Sequence, residues 1–199
     1  MENLKIMFNE ARPGFLILIL TAVLALTGCQ YTGFNNSGGL GGTAASSGLY
    51  REGLPGTANW AVLPFINHSE ASSITTQVER ILMVNLPSRG IEEARLYPES
   101  EVTTASKSLE AAHRYQNGKQ WAMQNDISFA IAGEIFEWYY DDSGRPNVSM
   151  GLTVIDIRSG EVIWDINGAS EGLQGDDLFD ISRGLISDLL QSLPINRRI

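Results

Sequence analysis

The chain contains one cysteine, Cys29, and two histidines, His68 and His113. A single cysteine excludes an internal disulfide framework. The two histidines stand in unrelated contexts, and a zinc site needs more ligands at usable spacing. The acidic pair Asp141-Asp142 lacks a third oxygen-rich partner in register, so it does not match an EF-hand loop. The sequence therefore predicts no metal and no other cofactor.

Catalytic motifs are also missing. The sequence has no G-x-S-x-G nucleophile elbow and no phosphate-binding loop. Serine, histidine and aspartate all occur, but no pattern places them together. We therefore predict that the protein is not an enzyme.

Positive charge is scarce and is not clustered. The chain has 14 lysine and arginine residues against 23 aspartate and glutamate residues, which gives a net charge of −9. The absence of a basic block argues against nucleic acid as a partner, because nucleic-acid-binding proteins neutralise phosphates with clustered cationic side chains. An acidic surface favours a cationic partner or simple solubility.

The apolar run from Phe15 to Leu26 is too short to span a membrane. It has 12 residues, whereas a spanning helix needs about 20. Because Lys5 and Arg12 precede it, the run is typical of the hydrophobic region of a secretory signal. Small residues then lead to Cys29 in the sequence Leu-Thr-Gly-Cys, which resembles a bacterial lipobox.

The lipobox predicts lipid attachment at Cys29. Residues 1–28 would be a signal peptide, and Cys29 would become the triply acylated first residue of the mature protein, with palmitate among its acyl groups. The alternative is a chance thiol beside an uncleaved anchor. Gln30 stands where an aspartate retains enteric lipoproteins at the inner membrane. We therefore expect a lipid-anchored protein on the periplasmic face of the outer membrane.

Residues 29–58 are rich in glycine, serine, asparagine and threonine. They contain too little apolar surface to pack, which predicts a flexible tether. A tether of roughly 28 residues has a root-mean-square span on the order of 30 Å.

Residues 59–199 are predicted to form a single α/β domain. The order of the elements is β-α-β-α-β-β-β-α, which indicates a mixed sheet of about five strands with packed helices. Helices are expected over 72–86 and over 104–125, the second one interrupted at Asn117-Gly118. A third helix begins after Asp176-Asp177 and ends before Pro194.

The last three strands form a meander, and the turn between its first two strands is acidic. This turn runs from Asp141 to Pro146 and follows Trp138 and Tyr140. Aromatic faces beside carboxylates suit sugars, particularly sugars that carry ammonium groups. The alternative is a solvated turn whose strand aromatics lie in the core. An acidic turn that is repeated around a ring would focus a field that a single copy lacks.

Three motifs resemble the PelC family, the outer-membrane lipoproteins of Pel exopolysaccharide export. They are W-A-V-L-P-F-x-N at 60–67, G-x-x-x-E-W-x-Y at 133–140 and P-x-V-x-x-x-L-x-x-x-D-x-x-x-G-x-V-x-W at 146–164. The first motif recurs in CsgG, LpoB and TolB, whereas the other two are more specific. The resemblance covers residues 60 to about 193.

The resemblance implies an α/β domain like the N-terminal domain of TolB. It also implies a non-enzymatic homo-oligomeric ring, a dodecamer in that family, that guides a partly cationic exopolysaccharide toward a PelB-like porin. By position, the acid that faces the pore would be Asp141 or Asp142. Where the family resemblance leads us to expect a membrane-facing aromatic residue, this chain has Leu173, and the preceding Glu171 fits poorly beside lipid.

Two other functions are compatible with an anchored domain of this kind. One is an LpoB-like binding module that activates a cell-wall synthase and needs no ring. The other is a CsgG-type channel, which requires amphipathic membrane hairpins with about 9–11 residues per strand. The one hairpin of suitable length has core-like strands, which disfavours the channel.

Overall fold

A computed structural model of the chain describes residue 50, residues 52–98 and residues 107–196, with side chains of the last range from residue 110 onward. The predicted signal peptide, the lipidation site Cys29 and most of the predicted tether lie outside the described residues. Their assignment therefore stays a prediction.

The described residues form a mixed α/β domain, which confirms the predicted fold class. The main sheet has the strand order β4-β2-β5-β6-β7, and β3 extends it beside β5. β2, β3 and β4 run parallel to β5, whereas β6 and β7 continue as an antiparallel meander. The strands are β1 Leu54–Pro55, β2 Trp60–Val62, β3 Ile66–Asn67, β4 Ala94–Leu96, β5 Phe129–Tyr140, β6 Pro146–Asp156, β7 Val162–Glu171 and β8 Ile195–Asn196, and the helices are α1 Thr75–Asn85, α2 Lys107–Gln124 and α3 Leu178–Gln191.

The sheet has a front face that packs on α1 and α3 and a back face that packs on α2. The front core is the larger one, because both helices bury an apolar stripe against it: Val78, Ile81 and Leu82 from α1 and Leu185, Ile186 and Leu189 from α3. The back core is small and joins Ala122 of α2 to Leu63, Ala130 and Ile155. The back face is consequently covered only in part.

The predicted helix ends are largely confirmed. Asp177 caps α3, since its Oδ1 accepts a hydrogen bond from the Phe179 N–H at 2.8 Å. α1 is shorter than predicted and continues as a 3-10 turn over Leu86–Arg89. Gly90 ends that turn with φ of 92°, a left-handed conformation that favours glycine.

The predicted interruption of the second helix is wrong, because α2 is continuous through Gly118. Gly118 is buried, and a Cβ at this position would lie 2.7 Å from Cδ of Pro64. The glycine allows close approach to the chain after β2 rather than breaking the helix. On the same helix Ala112 is exposed, whereas Ala122 is buried.

The boundary predicted at residue 59 is also wrong. Tyr50 packs edge-on against Phe129, with ring centroids 5.5 Å apart. Leu54 is fully buried, and its strand pairs in parallel with β8 near the C-terminus. The last part of the predicted tether therefore belongs to the domain.

A β-bulge in β5 reverses the expected side-chain alternation. Ile135 pairs with Met150 and Glu137 pairs with Ser149, so Phe136 lies opposite no residue of β6. The extra residue turns Trp138 onto the front face together with Ile135. A second irregularity lies between Val154 and Ile155 of β6, and Val162, which pairs with Ile155, is exposed.

Candidate functional site at the acidic hairpin

The turn between β5 and β6 is organised around the side chain of Asp141. Its Oδ1 accepts hydrogen bonds from the N–H groups of Ser143 at 2.8 Å and Arg145 at 2.9 Å. Its Oδ2 lies 2.9 Å from Nε and 2.8 Å from Nη2 of Arg145. Gly144 adopts a φ of 74°, which lets the turn close beneath this network.

This network changes the protonation of Asp141. The backbone N–H and the guanidinium of Arg145, together with the Ser143 N–H, lower the pKa of that carboxyl below its usual value. Each of these donors favours the ionised form, and together they outweigh the opposing effect of desolvation. Asp141 is therefore an ionised but internally paired acid.

Asp142 follows Asp141 in the sequence but shares none of its hydrogen bonds or ion pairs. It is exposed, and it forms no hydrogen bond or ion pair with any residue that the structure describes. Arg145 also pairs with Glu171 of β7. Three carboxylates and one guanidinium thus leave the tip with a formal charge of −2, and Asp142 provides its unpaired acid.

The aromatic residues before the turn do not all face solvent. Trp138 is 7% exposed and packs edge-on against Phe179 of α3, with centroids 5.0 Å apart. The prediction that Trp138 offers a surface contact is therefore wrong, and the bulge at Phe136 is the reason. Tyr140 is half exposed, as a contact residue should be, and its hydroxyl donates to the Asp176 carbonyl at 3.4 Å.

Sequence reasoning missed Tyr139, which is exposed to the same extent as Tyr140. The two residues point to opposite faces of β5, since successive strand residues alternate. Both are exposed because the hairpin extends past the packed helices. One signal in the sequence could have indicated this exposure, because the strand continues for several residues beyond its apolar part.

The segment after β7 lies against the hairpin. The Gly172 N–H donates to the Pro146 carbonyl at 2.9 Å, and the Leu173 N–H donates to Oδ2 of Asp176 at 2.7 Å. Leu173 is 75% exposed. Glu171 shares the Arg145 guanidinium with Asp141, so a negative charge remains two residues before Leu173.

The residues that the structure describes contain neither a candidate metal site nor a helix that could span a membrane. Among the residues that the structure describes, no group of three or more His, Cys, Asp or Glu side chains is placed to hold a metal ion. Within the same ranges, no helix combines the length and the apolarity needed to cross a membrane.

Solved structures resemble this domain, but sequence comparisons identify no relative. No family model matches the chain, and no curated protein sequence matches it significantly. A PelC dodecamer from Paraburkholderia phytofirmans superposes with a TM-score of 0.63 at 22% identity, covering 80% of this chain and 99% of that one. The fold is PelC-like.

Two further structures are similar. A point variant of the same PelC dodecamer gives a TM-score of 0.62 at 22% identity, covering 79% of this chain and 99% of that one. A lipoprotein from Neisseria meningitidis gives a TM-score of 0.46 at 15% identity, covering 67% of this chain and 96% of that one. At these identities the PelC likeness establishes the fold alone.

Proposed function

We propose that this chain is a non-enzymatic, lipid-anchored accessory protein of exopolysaccharide export. Copies of the chain would form a ring on the periplasmic face of the outer membrane and guide a partly cationic polymer to a PelB-like porin. The PelC-like fold supports the proposal, since the similar PelC proteins are dodecamers. The lipobox at Cys29 supports the anchor.

The observation that carries this proposal is the unpaired carboxylate of Asp142 at the exposed tip of the hairpin. One exposed carboxylate attracts an ammonium group weakly, by about 1 kcal/mol at 4 Å in water. A ring of copies would place one such acid per subunit around a common axis and focus the field there. Contacts that are weak and repeated suit a polymer that must enter and also leave.

The exposed tyrosines strengthen this surface. Tyr139 and Tyr140 directly precede the acidic pair. An ammonium group over an exposed aromatic face gains about 0.5–1 kcal/mol. The tip therefore combines the two features that favour an amino sugar, a negative charge and an aromatic face.

The test is the secretion of polysaccharide by cells that carry Asp142→Asn. We expect secretion to fall several-fold, with normal abundance and normal oligomeric mass of the lipoprotein. Asp126→Asn is the matched control, because Asp126 is an exposed acid at the other end of β5 and its φ of 54° is tolerated by asparagine. Normal secretion by the Asp142 variant would contradict the proposal.

Two further measurements separate the proposal from its alternatives. Cys29→Ser should abolish labelling with radioactive palmitate and release the chain from the membrane fraction. Light scattering on the full chain in detergent should report an oligomer. A monomer at high concentration would instead favour a synthase-activating module.

A further inference from the structure

The back face of the sheet is open beyond α2. The back core ends near Ala132 of β5, and the next two residues on that face, Glu134 and Phe136, are exposed. The Phe136 ring is 43% exposed and lies above Gly151 of β6, where a Cβ would approach it to 3.4 Å. The bulge that buries Trp138 is the same feature that presents Phe136 to solvent.

Of Glu134 and Phe136, only Glu134 lines a cavity of about 230 Å³ between α2 and the sheet. Its polar lining comes from Tyr115, Glu134 and Thr153, and Ile66 and Val162 provide apolar walls. Pockets for drug-sized ligands measure about 300–1,000 Å³, so this cavity suits one ring of a longer ligand.

His68 completes the arrangement. Its ring is parallel to that of Phe136, with centroids 5.9 Å apart and planes 10° apart. Its Nε2 lies 2.8 Å from Oε2 of Glu134, whose side chain is 49% exposed. Among the described residues this imidazole is the only hydrogen-bonding partner of the Glu134 carboxylate, so that carboxylate keeps acceptor capacity toward solvent.

We infer that the Glu134 cavity binds one amino-sugar residue of a cationic polysaccharide. The carboxylate accepts the ammonium group, the exposed part of the Phe136 ring beside the cavity contacts the sugar, and Tyr115 and Thr153 offer hydroxyl groups. The inference rests on the proposed function for the class of polymer, but the site lies about 20 Å from the hairpin tip, at about 3.3 Å per residue along β5.

Two observations favour this cavity over other surfaces. Burial first, and the Glu134 charge second, raise the pKa of Tyr115, so its phenol stays a neutral donor beside the carboxylate. A larger depression of about 800 Å³ lies beside Glu137, Glu171 and Asp188, but its described lining contains no aromatic ring. The Glu134 cavity therefore combines a carboxylate with the aromatic residue Tyr115, whereas the larger depression has carboxylates without an aromatic ring.

Calorimetry on the full chain in detergent tests the inference with two probes, a glucosamine hexamer and its fully N-acetylated counterpart. We expect the free amine to bind at least about tenfold more tightly. Glu134→Gln keeps the shape of the site and removes the charge, and it should weaken glucosamine binding about tenfold or more. Asp142→Asn should change this affinity less than threefold, roughly, because it lies outside the site.

Three results would overturn the inference. These are no binding of the glucosamine hexamer, equal affinity for both probes, and unchanged affinity of the Glu134 variant. Phe136→Ala should weaken binding at constant oligomeric mass. A loss of oligomeric mass would instead identify this face as an interface between copies. If these tests fail while Asp142→Asn still impairs secretion, the proposed function survives and this site does not.

Discussion

Arg145 holds the carboxylate of Asp141 inside its own turn, with Nη2 2.8 Å from Oδ2 and the backbone N–H 2.9 Å from Oδ1. Asp142 is adjacent in sequence but makes no such contact with the described residues. The two acids therefore have different roles. Asp141 shapes the turn, and Asp142 is the acid that the turn presents.

Removal of the Asp141 carboxylate should loosen the hairpin tip. Because the folded pKa of Asp141 is lowered from 3.8, its contribution is present above that value and is lost as the pH falls through the folded pKa. We expect Asp141→Asn to speed amide hydrogen exchange at Ser143 and Arg145 several-fold at neutral pH. The difference from wild type should shrink in acid. Equal protection in the Asp141 and Asp142 variants would contradict this role.

The Tyr50 hydroxyl donates a hydrogen bond to Oδ2 of Asp156 at 2.7 Å, which should stabilise the packing of Tyr50 on the sheet. Tyr50→Phe keeps the ring contact with Phe129, so it should lower the free energy of unfolding by about 1 kcal/mol. Tyr139→Phe is the control, because this exposed hydroxyl has no recorded partner among the described residues. Urea unfolding at neutral pH measures both.

The hydrogen bond between Tyr50 and Asp156 also predicts that the free energy of unfolding depends on pH in the alkaline range. Burial, followed by the bond to Asp156, raises the pKa of Tyr50 from 10.0 to about 12. A raised folded pKa means that the stabilisation is present below pH 10 and is lost as the pH rises toward about 12. The difference in unfolding free energy between wild type and Tyr50→Phe should therefore shrink between these values. A difference that stays constant would argue against the hydroxyl bond.

A buried ion pair joins α1 to α2. Both carboxylate oxygens of Glu79 accept from Arg114, at 2.8 and 2.9 Å, and Oε1 also accepts from the Phe65 N–H at 2.9 Å. Arg114→Met leaves a buried carboxylate without its cation, which should cost about 3 kcal/mol of unfolding free energy. Adding Glu79→Met should restore part of this loss. A double variant less stable than Arg114→Met would contradict this account, because Glu79 would then stabilise the fold without its cation.

Periodicity predicted the elements of this domain but not their irregularities. The stripes on α1 and α3 could be read because a helical face repeats over several turns. The bulge at Phe136 could not be predicted, because one inserted residue leaves a regular alternation of side chains in both halves of β5. Gly118 was similarly ambiguous, because its role depends on Pro64, which is distant in sequence.

The site was predictable only by residue type. Composition indicated an acidic turn behind aromatic residues, but it could not separate Asp141 from Asp142. That distinction depends on the direction in which Arg145 folds back across the turn. The packing of Tyr50 and Leu54 could not be predicted for a related reason. Tyr50 and Leu54 gain their burial from Phe129 and β8, which a local window does not contain.

Leu173 and Tyr50 lie at opposite ends of the sheet. Tyr50 contacts Phe129, where β5 begins, whereas Leu173 follows β7 at the end where β5 finishes. The length of β5 separates these ends by about 36 Å, at about 3.3 Å per residue. The Leu173 end of the sheet is therefore distant from the end that Tyr50 contacts.

Leu173→Asp should therefore reduce membrane contact if this end of the sheet faces lipid. In a Cys29→Ser background, we expect the substitution to weaken partition onto vesicles of outer-membrane lipid about tenfold, because an exposed leucine gains about 1.5–3 kcal/mol when fully buried. Val84→Asp is the matched control, since Val84 is equally exposed on α1. Equal losses in both aspartate variants would show that Leu173 has no special membrane role.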